Sequence, residues 1–331
     1  MHFNGSAQAA ELAAQKGLTI YTIGVGADSL ITPGPLGTGI GARRLNPSAD
    51  LDEETLQAMR ARAALRNLAT DPTPALDCLR QIVDSDPKDL ALVVDEETIQ
   101  PLLAFLDAAD LLRRPPLWPE NAETVRSMLL KVTDGHSKAA TELVVISIVN
   151  DMLLHDSIKS KTTAACLLAK IIGDTNTGPP PFNRKVVAAA NRSVIAAAGA
   201  IEPLVELLRT DGDQADAGYY WAASALGKLA IGNVEIKVEI IEAGAVGPLI
   251  ELLRTSGDHH ILAPAARTIF DLLYDNSANA LAFSAAGAVR PLLDVLSVGH
   301  LFGADSRESV AGAVEHLAKG ADSVARELIE A

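Results

Sequence analysis

Apolar residues in the second half of the chain fall at three- and four-residue intervals, the spacing that lines side chains up on one face of an α-helix. Within 261–274, Ala265, Thr268, Ile269, Leu272 and Leu273 form such a stripe, and within 246–254, Leu249, Ile250 and Leu253 share a face. Each stripe is interrupted by turn chemistry. The short apolar stretch Val238–Glu242 runs into Ala243-Gly244, where glycine can take the left-handed conformation that closes a helix. Pro248 then falls in the first turn of the next helix, where its missing N–H costs nothing. A polar loop, Thr255–Asp258, leads to the third and longest stripe. The pattern predicts a unit of three helices.

The unit recurs. Ala-Gly-Ala stands at Ala198–Ala200, Ala243–Ala245 and Ala286–Ala288, spaced by 45 and 43 residues. Pro-Leu follows at the same offset each time, at Pro203-Leu204, Pro248-Leu249 and Pro291-Leu292, and the first two copies continue into the identical Glu-Leu-Leu-Arg-Thr at Glu206–Thr210 and Glu251–Thr255. No single unit can bury its apolar faces, so stacking unit on unit supplies the core.

These copies, Ile195–Leu208, Ile240–Leu253 and Phe283–Leu296, with third helices such as Ala222–Ala230, resemble the armadillo repeat family over 189–331. The resemblance implies an all-α, right-handed α-solenoid of three-helix repeats that acts through protein–protein contact. It continues in degenerate form over 53–188: Thr163–Gly173 is similar to a third helix, Ile99–Leu103 to the start of a second, and Ala64–Ala69 to the end of a third. A Pro-rich insertion, 174–183, containing Pro179-Pro180-Pro181, cannot join a helix and is expected as a surface loop. Residues 1–52 differ. A helix at Ala7–Lys16, a strand at Leu18–Val25 and the segment Asn46–Leu56 resemble the closing part of a bacterial von Willebrand factor type A domain, a short α/β fragment. That family's metal-binding Asp-x-Ser-x-Ser segment is not in the chain, so its metal-dependent adhesion or assembly chemistry is an alternative with no residues to carry it.

Composition narrows the partners. At 331 residues the chain exceeds the size at which one core stops growing, about 250–300 residues, which suits two domains or an extended array. The 28 basic against 42 acidic residues, a formal net charge of -14, oppose nucleic-acid binding, which needs clustered Lys and Arg. The acid excess favours basic partners through long-range attraction, although ordinary solubility accounts for the same numbers. Cys78 and Cys166 lack metal-ligand spacing and fit a reducing compartment. Met1–Gly5 carries no basic-then-apolar signal, and the longest apolar run, Leu143–Val149, is well short of the ~20 residues that cross a bilayer. A monomeric, cytoplasmic or nuclear protein that binds another protein or peptide, without nucleic acid, membrane or cofactor, is the expectation.

Candidate chemistry is sparse. Gly37–Gly41 beside Arg43 and Arg44 matches no phosphate-binding spacing. His259-His260 on a loop would project apart without a third metal ligand, and no nucleophile, base and orienting group combine, so no enzyme is expected. The candidate contacts lie on the third helices, which in armadillo arrays line the concave face: Trp221, Ser224, Lys228, Arg267, Asp271 and His316. In the nuclear-import adaptors of the family, a ladder of Trp and Asn at these places grips a basic peptide. Here the Asn place holds Lys170, Lys228, Asp271 and His316, and the Trp place holds Cys166, Ser224, Arg267 and Gly312; Asn67 upstream lacks its Trp. The resemblance therefore does not extend to import-adaptor specificity. Trp221, one turn before the Trp place, either anchors a partner or packs on the preceding repeat.

Overall fold

The computed structural model describes residues 30–31, 44–45, 65, 68, 76–77, 80, 93–108, 120–133, 137–173, 182–210, 215–256, 259–297 and 304–320. The chain divides into two compact units, Met1–Gln57 and Ala58–Ala331. In the first, the described residues form a two-residue antiparallel ladder, β1 (Leu30–Ile31) with β2 (Arg44–Leu45), in the register Leu30 to Leu45 and Ile31 to Arg44. The helix and strand expected at Ala7–Lys16 and Leu18–Val25, the glycine-rich Gly37–Gly41, and the proline run at 179–181 lie outside the described residues.

The second unit is an all-α solenoid. Its described helices are α1 (Glu96–Ala108), α2 (Glu120–Val132), α3 (Lys138–Ser147), α4 (Ile158–Ile172), α5 (Phe182–Ala197), α6 (Ile201–Leu207), α7 (Ala215–Ala230), α8 (Val234–Glu242), α9 (Val246–Thr255), α10 (His259–Leu273), α11 (Ser277–Ala285), α12 (Val289–Ser297) and α13 (Ala304–Gly320). Three full units follow one another: α5–α7, α8–α10 and α11–α13. Upstream, α3 runs without a break into a π-helical turn, Ile148–Leu153, before α4. No single described helix is long and apolar enough to cross a membrane.

Ala-Gly-Ala is the joint between the first and second helix of each unit, and it closes identically three times. Gly199, Gly244 and Gly287 have φ of 78°, 82° and 77°. Their N–H groups donate to Ala196, Ile241 and Ser284, while the N–H of the following Ala200, Ala245 and Ala288 reaches back to the carbonyls of Ile195, Ile240 and Phe283. This double return is the Schellman motif, and the apolar residue at its base is fully buried in each copy. The shared Glu-Leu-Leu-Arg-Thr string has its own task. Arg209, exposed at the end of α6, donates to the carbonyls of Ala243 (3.2 Å) and Gly244 (3.0 Å), tying one repeat to the joint of the next.

Caps set the other boundaries. Asn233 and Asn276, 43 residues apart, each accept from the N–H three residues on and start α8 and α11. The first helix of the middle unit is therefore 234–242, longer than the predicted 238–242. His259-His260 open α10 rather than sitting on a loop. At α1, the Asp95 carboxylate accepts from the N–H groups of Glu97 and Thr98 while the Thr98 hydroxyl accepts from the Asp95 N–H, so the helix begins at Glu96. Ile99–Leu103 is mid-helix, with Pro101 inside, and not a helix start as its sequence suggests.

Third helices carry the core. α4 packs on α7, α7 on α10 and α10 on α13, in chain order. The predicted stripe Ala265, Thr268, Ile269, Leu272 and Leu273 is buried, as are Ala222, Ala225, Leu226 and Leu229 on α7. Small residues bring the helices together: a Cβ at Gly227 would lie 2.7 Å from the Thr268 hydroxyl, and that hydroxyl donates across the gap to the Ala223 carbonyl at 2.7 Å.

Candidate functional site

The row formed by α4, α7, α10 and α13 positions every candidate residue. Trp221 is 8% exposed, edge-on to Tyr220 at 4.7 Å between ring centroids, with the Lys170 ammonium of α4 5.7 Å from its ring. It is packed against the preceding repeat, and Tyr220, 36% exposed, carries more of the accessible aromatic surface. Ser224 and Lys228 follow on α7, both half-buried. The Lys228 ammonium donates to the Ala169 carbonyl of α4 at 3.1 Å, so Lys170 and Lys228 gather around the last turn of that helix, where the end of the dipole is negative.

On α10, Arg267 Nε donates to both carboxylate oxygens of Asp271, at 3.1 and 3.0 Å, and its guanidinium lies 5.6 Å from the Phe270 ring. Asp271 is 7% exposed. Burial raises its pKa above the ordinary carboxylate value, against the opposing pull of Arg267 and, to a smaller extent, of Lys237 and Arg192. His316 of α13 joins an aromatic cluster, 5.8 Å from Phe270 and 5.3 Å from Tyr274 between centroids. Gly312 makes that possible: a Cβ there would sit 2.5 Å from the Phe270 ring edge. The structure thus joins Trp221 to Lys170, Arg267 to Asp271, and His316 to Phe270 and Tyr274.

Four buried polar residues behind the row were not anticipated. Asn191 on α5 donates to the Thr133 and Ile171 carbonyls, at 3.1 and 3.0 Å, and Asn279 on α11 donates to Leu272 at 3.0 Å. Arg192 and Lys237 come from the same face of the first helices, and the Lys237 ammonium donates to the Tyr274 carbonyl at the end of α10. Burial lowers the pKa of both cations, and Asp271 opposes the shift in each. A register signal existed. Asn191 and Asn279 stand seven residues before the first Ala of their Ala-Gly-Ala, and Arg192 and Lys237 stand six before theirs.

Chemistry elsewhere is quiet. The Cys166 thiol is buried on α4, and burial pushes its pKa up to about 12, which keeps it protonated at neutral pH. Among the described residues no three His, Cys, Asp or Glu side chains converge as a metal site.

The comparisons follow this geometry. Residues 233–273, which span α8–α10, match the model of the armadillo/beta-catenin-like repeat. The second unit has the fold of an armadillo solenoid. Among solved structures, a designed armadillo repeat protein is 20% identical with a TM-score of 0.53, covering 78% of this chain and 99% of its own. Another designed armadillo repeat protein, in complex with the peptide (KR)4, is 19% identical with a TM-score of 0.53 and covers 80% of this chain and 100% of its own. A chain from a structure on the phosphorylation-controlled interaction between cadherin and beta-catenin is 15% identical with a TM-score of 0.50, over 76% of this chain and 44% of its own. At these identities the armadillo likeness is one of fold. No curated protein matches the sequence.

Proposed function

We propose that this armadillo solenoid is a binding scaffold that holds an extended segment of another protein along its third-helix row, in contact with Trp221, Ser224, Lys228, Arg267, Asp271 and His316, and leaves it chemically unchanged. The observation that carries the reading is the continuous packing of α4, α7, α10 and α13, which presents the same two helix positions once per repeat along one wall. Support comes from two designed armadillo neighbours, one solved with a bound peptide and one described as made for modular peptide recognition. Tyr220, and Tyr274 at 51% exposure, supply accessible aromatic surface beside the named positions. The buried, protonated Cys166 thiol supplies no nucleophile.

A peptide library panned against the full chain tests this. Selected peptides should bind the native protein and lose at least about tenfold in affinity to Ser224→Trp, which fills the row, while Val238→Glu on the exposed face of α8 leaves binding intact. Equal affinity for all three proteins refutes the placement.

A further inference from the structure

We propose that the solenoid holds a small free oxyanion, of the size of phosphate or acetate, at the Arg192 guanidinium of α5. The site lies behind the row and is independent of what the row binds. Arg192 is 8% exposed, and its Nε is enclosed without a hydrogen-bond partner among the described residues. Asp271 is the only described carboxylate that acts on it, and both Asp271 oxygens already accept from Arg267 Nε. A buried cation without a partner of its own is strongly destabilising. Water would satisfy its donors and leave the charge, whereas an oxyanion answers both.

Neighbouring units show that the fold does not require this cation. The same place, six residues before the first Ala of Ala-Gly-Ala, holds Lys237 in the middle unit and Ala280 in the last. Lys237 is equally buried but matched: its ammonium donates to the Tyr274 carbonyl, and Asp271 and Asp275 both act on it. Ala280 carries no charge to match. Arg192 has neither solution. Among the described side chains that act on one another here, Arg192, Lys237 and Arg267 stand against Asp271 and Asp275. Three cations to two carboxylates leave one positive charge to balance. A guanidinium stays protonated at neutral pH, and its planar set of N–H donors suits two oxygens of one carboxylate or phosphate better than a spherical ion. So little of Arg192 reaches solvent that a small ion fits the approach and a chain segment does not.

The test follows the arginine Nε–H resonances of the isotope-labelled full chain by NMR, with that of Arg192 identified by its loss in Arg192→Lys. Inorganic phosphate and acetate, each titrated at constant ionic strength, should shift this resonance to saturation, and chloride should bind about tenfold more weakly or worse. A resonance that stays put, or moves equally with chloride, overturns the proposal. Stability gives a second readout. Arg192→Ala copies the residue that the last unit already carries at this place. Phosphate raises the urea midpoint of both proteins by exclusion from their surfaces. Beyond that shared rise, the folding equilibrium of the native protein should gain about tenfold when phosphate is at ten times its dissociation constant. An equal rise in both proteins overturns the proposal. A phosphoserine peptide that shifts the Arg192 resonance where inorganic phosphate does not also overturns it, because the site would then serve a partner's group and not a free ion.

Discussion

Replacing Gly244 by alanine probes the joint between the first and second helices of the middle unit and the arginine that ties the preceding unit to it. The φ of 82° is left-handed, a conformation that costs an L-residue about 1–2 kcal/mol. The new Cβ would also lie 2.7 Å from Arg209 Nη2, which donates to the Ala243 and Gly244 carbonyls. Displacing that exposed guanidinium forfeits about 1 kcal/mol of charge-assisted hydrogen bonding. The sum is about 2–3 kcal/mol. Gly199 provides the control, because its φ is 78° and nothing lies within 4 Å of where a methyl group would stand, so Gly199→Ala should cost the backbone part alone. Urea unfolding followed by far-ultraviolet circular dichroism measures both, provided the slope of the transition is unchanged. In an Arg209→Ala background Gly244→Ala should shrink to the Gly199→Ala value. Equal costs at the two glycines, together with a harmless Arg209→Ala, would refute the claim that Arg209 clamps adjoining repeats.

Other consequences are equally measurable. Gly312→Ala should push the Phe270 ring off its seat against α13 and destabilise the protein by about 1–3 kcal/mol, read from the urea midpoint. Asn279→Leu removes the buried donor to the Leu272 carbonyl and should cost about 1–3 kcal/mol, whereas the equivalent Ile236 already does without one. The raised pKa of Asp271, caused chiefly by burial, means the folded state holds its proton more tightly than the unfolded state. Its contribution to stability should therefore fall as pH rises from the ordinary carboxylate value to the raised one. Comparing unfolding of the native protein with Asp271→Asn between about pH 4 and pH 7 should show that decline in the native protein alone; a decline of the same size in both would refute it.

Local chemistry made much of this fold legible. Ala-Gly-Ala followed by Pro-Leu specifies a left-handed closure and a proline-tolerant first turn, and the 43- and 45-residue spacing announces units that must stack. What escaped was set by contacts distant in sequence. Asn191 reaches a carbonyl 58 residues away, and Arg209 one 35 residues away, so neither partner could be read from neighbouring residues. Pro101 misled for a related reason: proline marks a first turn in the clear repeats, but in α1 the Asp95 and Thr98 cap starts the helix earlier and proline is carried inside. Trp221 could have faced either way along its helix, and the Lys170 ammonium over its ring shows it turned towards the preceding repeat.

Comparing the repeats with one another separates what the fold demands from what it leaves open. The joint glycines, the buried Ile195, Ile240 and Phe283 beneath them, and the prolines after them keep the same residue class in every unit. Each has a geometric reason. The row positions do not repeat: one reads Lys228, Asp271, His316 and the other Ser224, Arg267, Gly312 from unit to unit. A position whose charge changes sign between units of the same backbone geometry is not held by that geometry. At Gly312 and His316 a neighbour explains the residue, because Phe270 needs the space and the aromatic contact. Lys228 has a neighbour as well, because its ammonium donates to the Ala169 carbonyl in the last turn of α4, where the helix dipole favours a cation. The row therefore changes from unit to unit with the neighbours each unit supplies, whereas the joints answer to a backbone geometry that every unit shares.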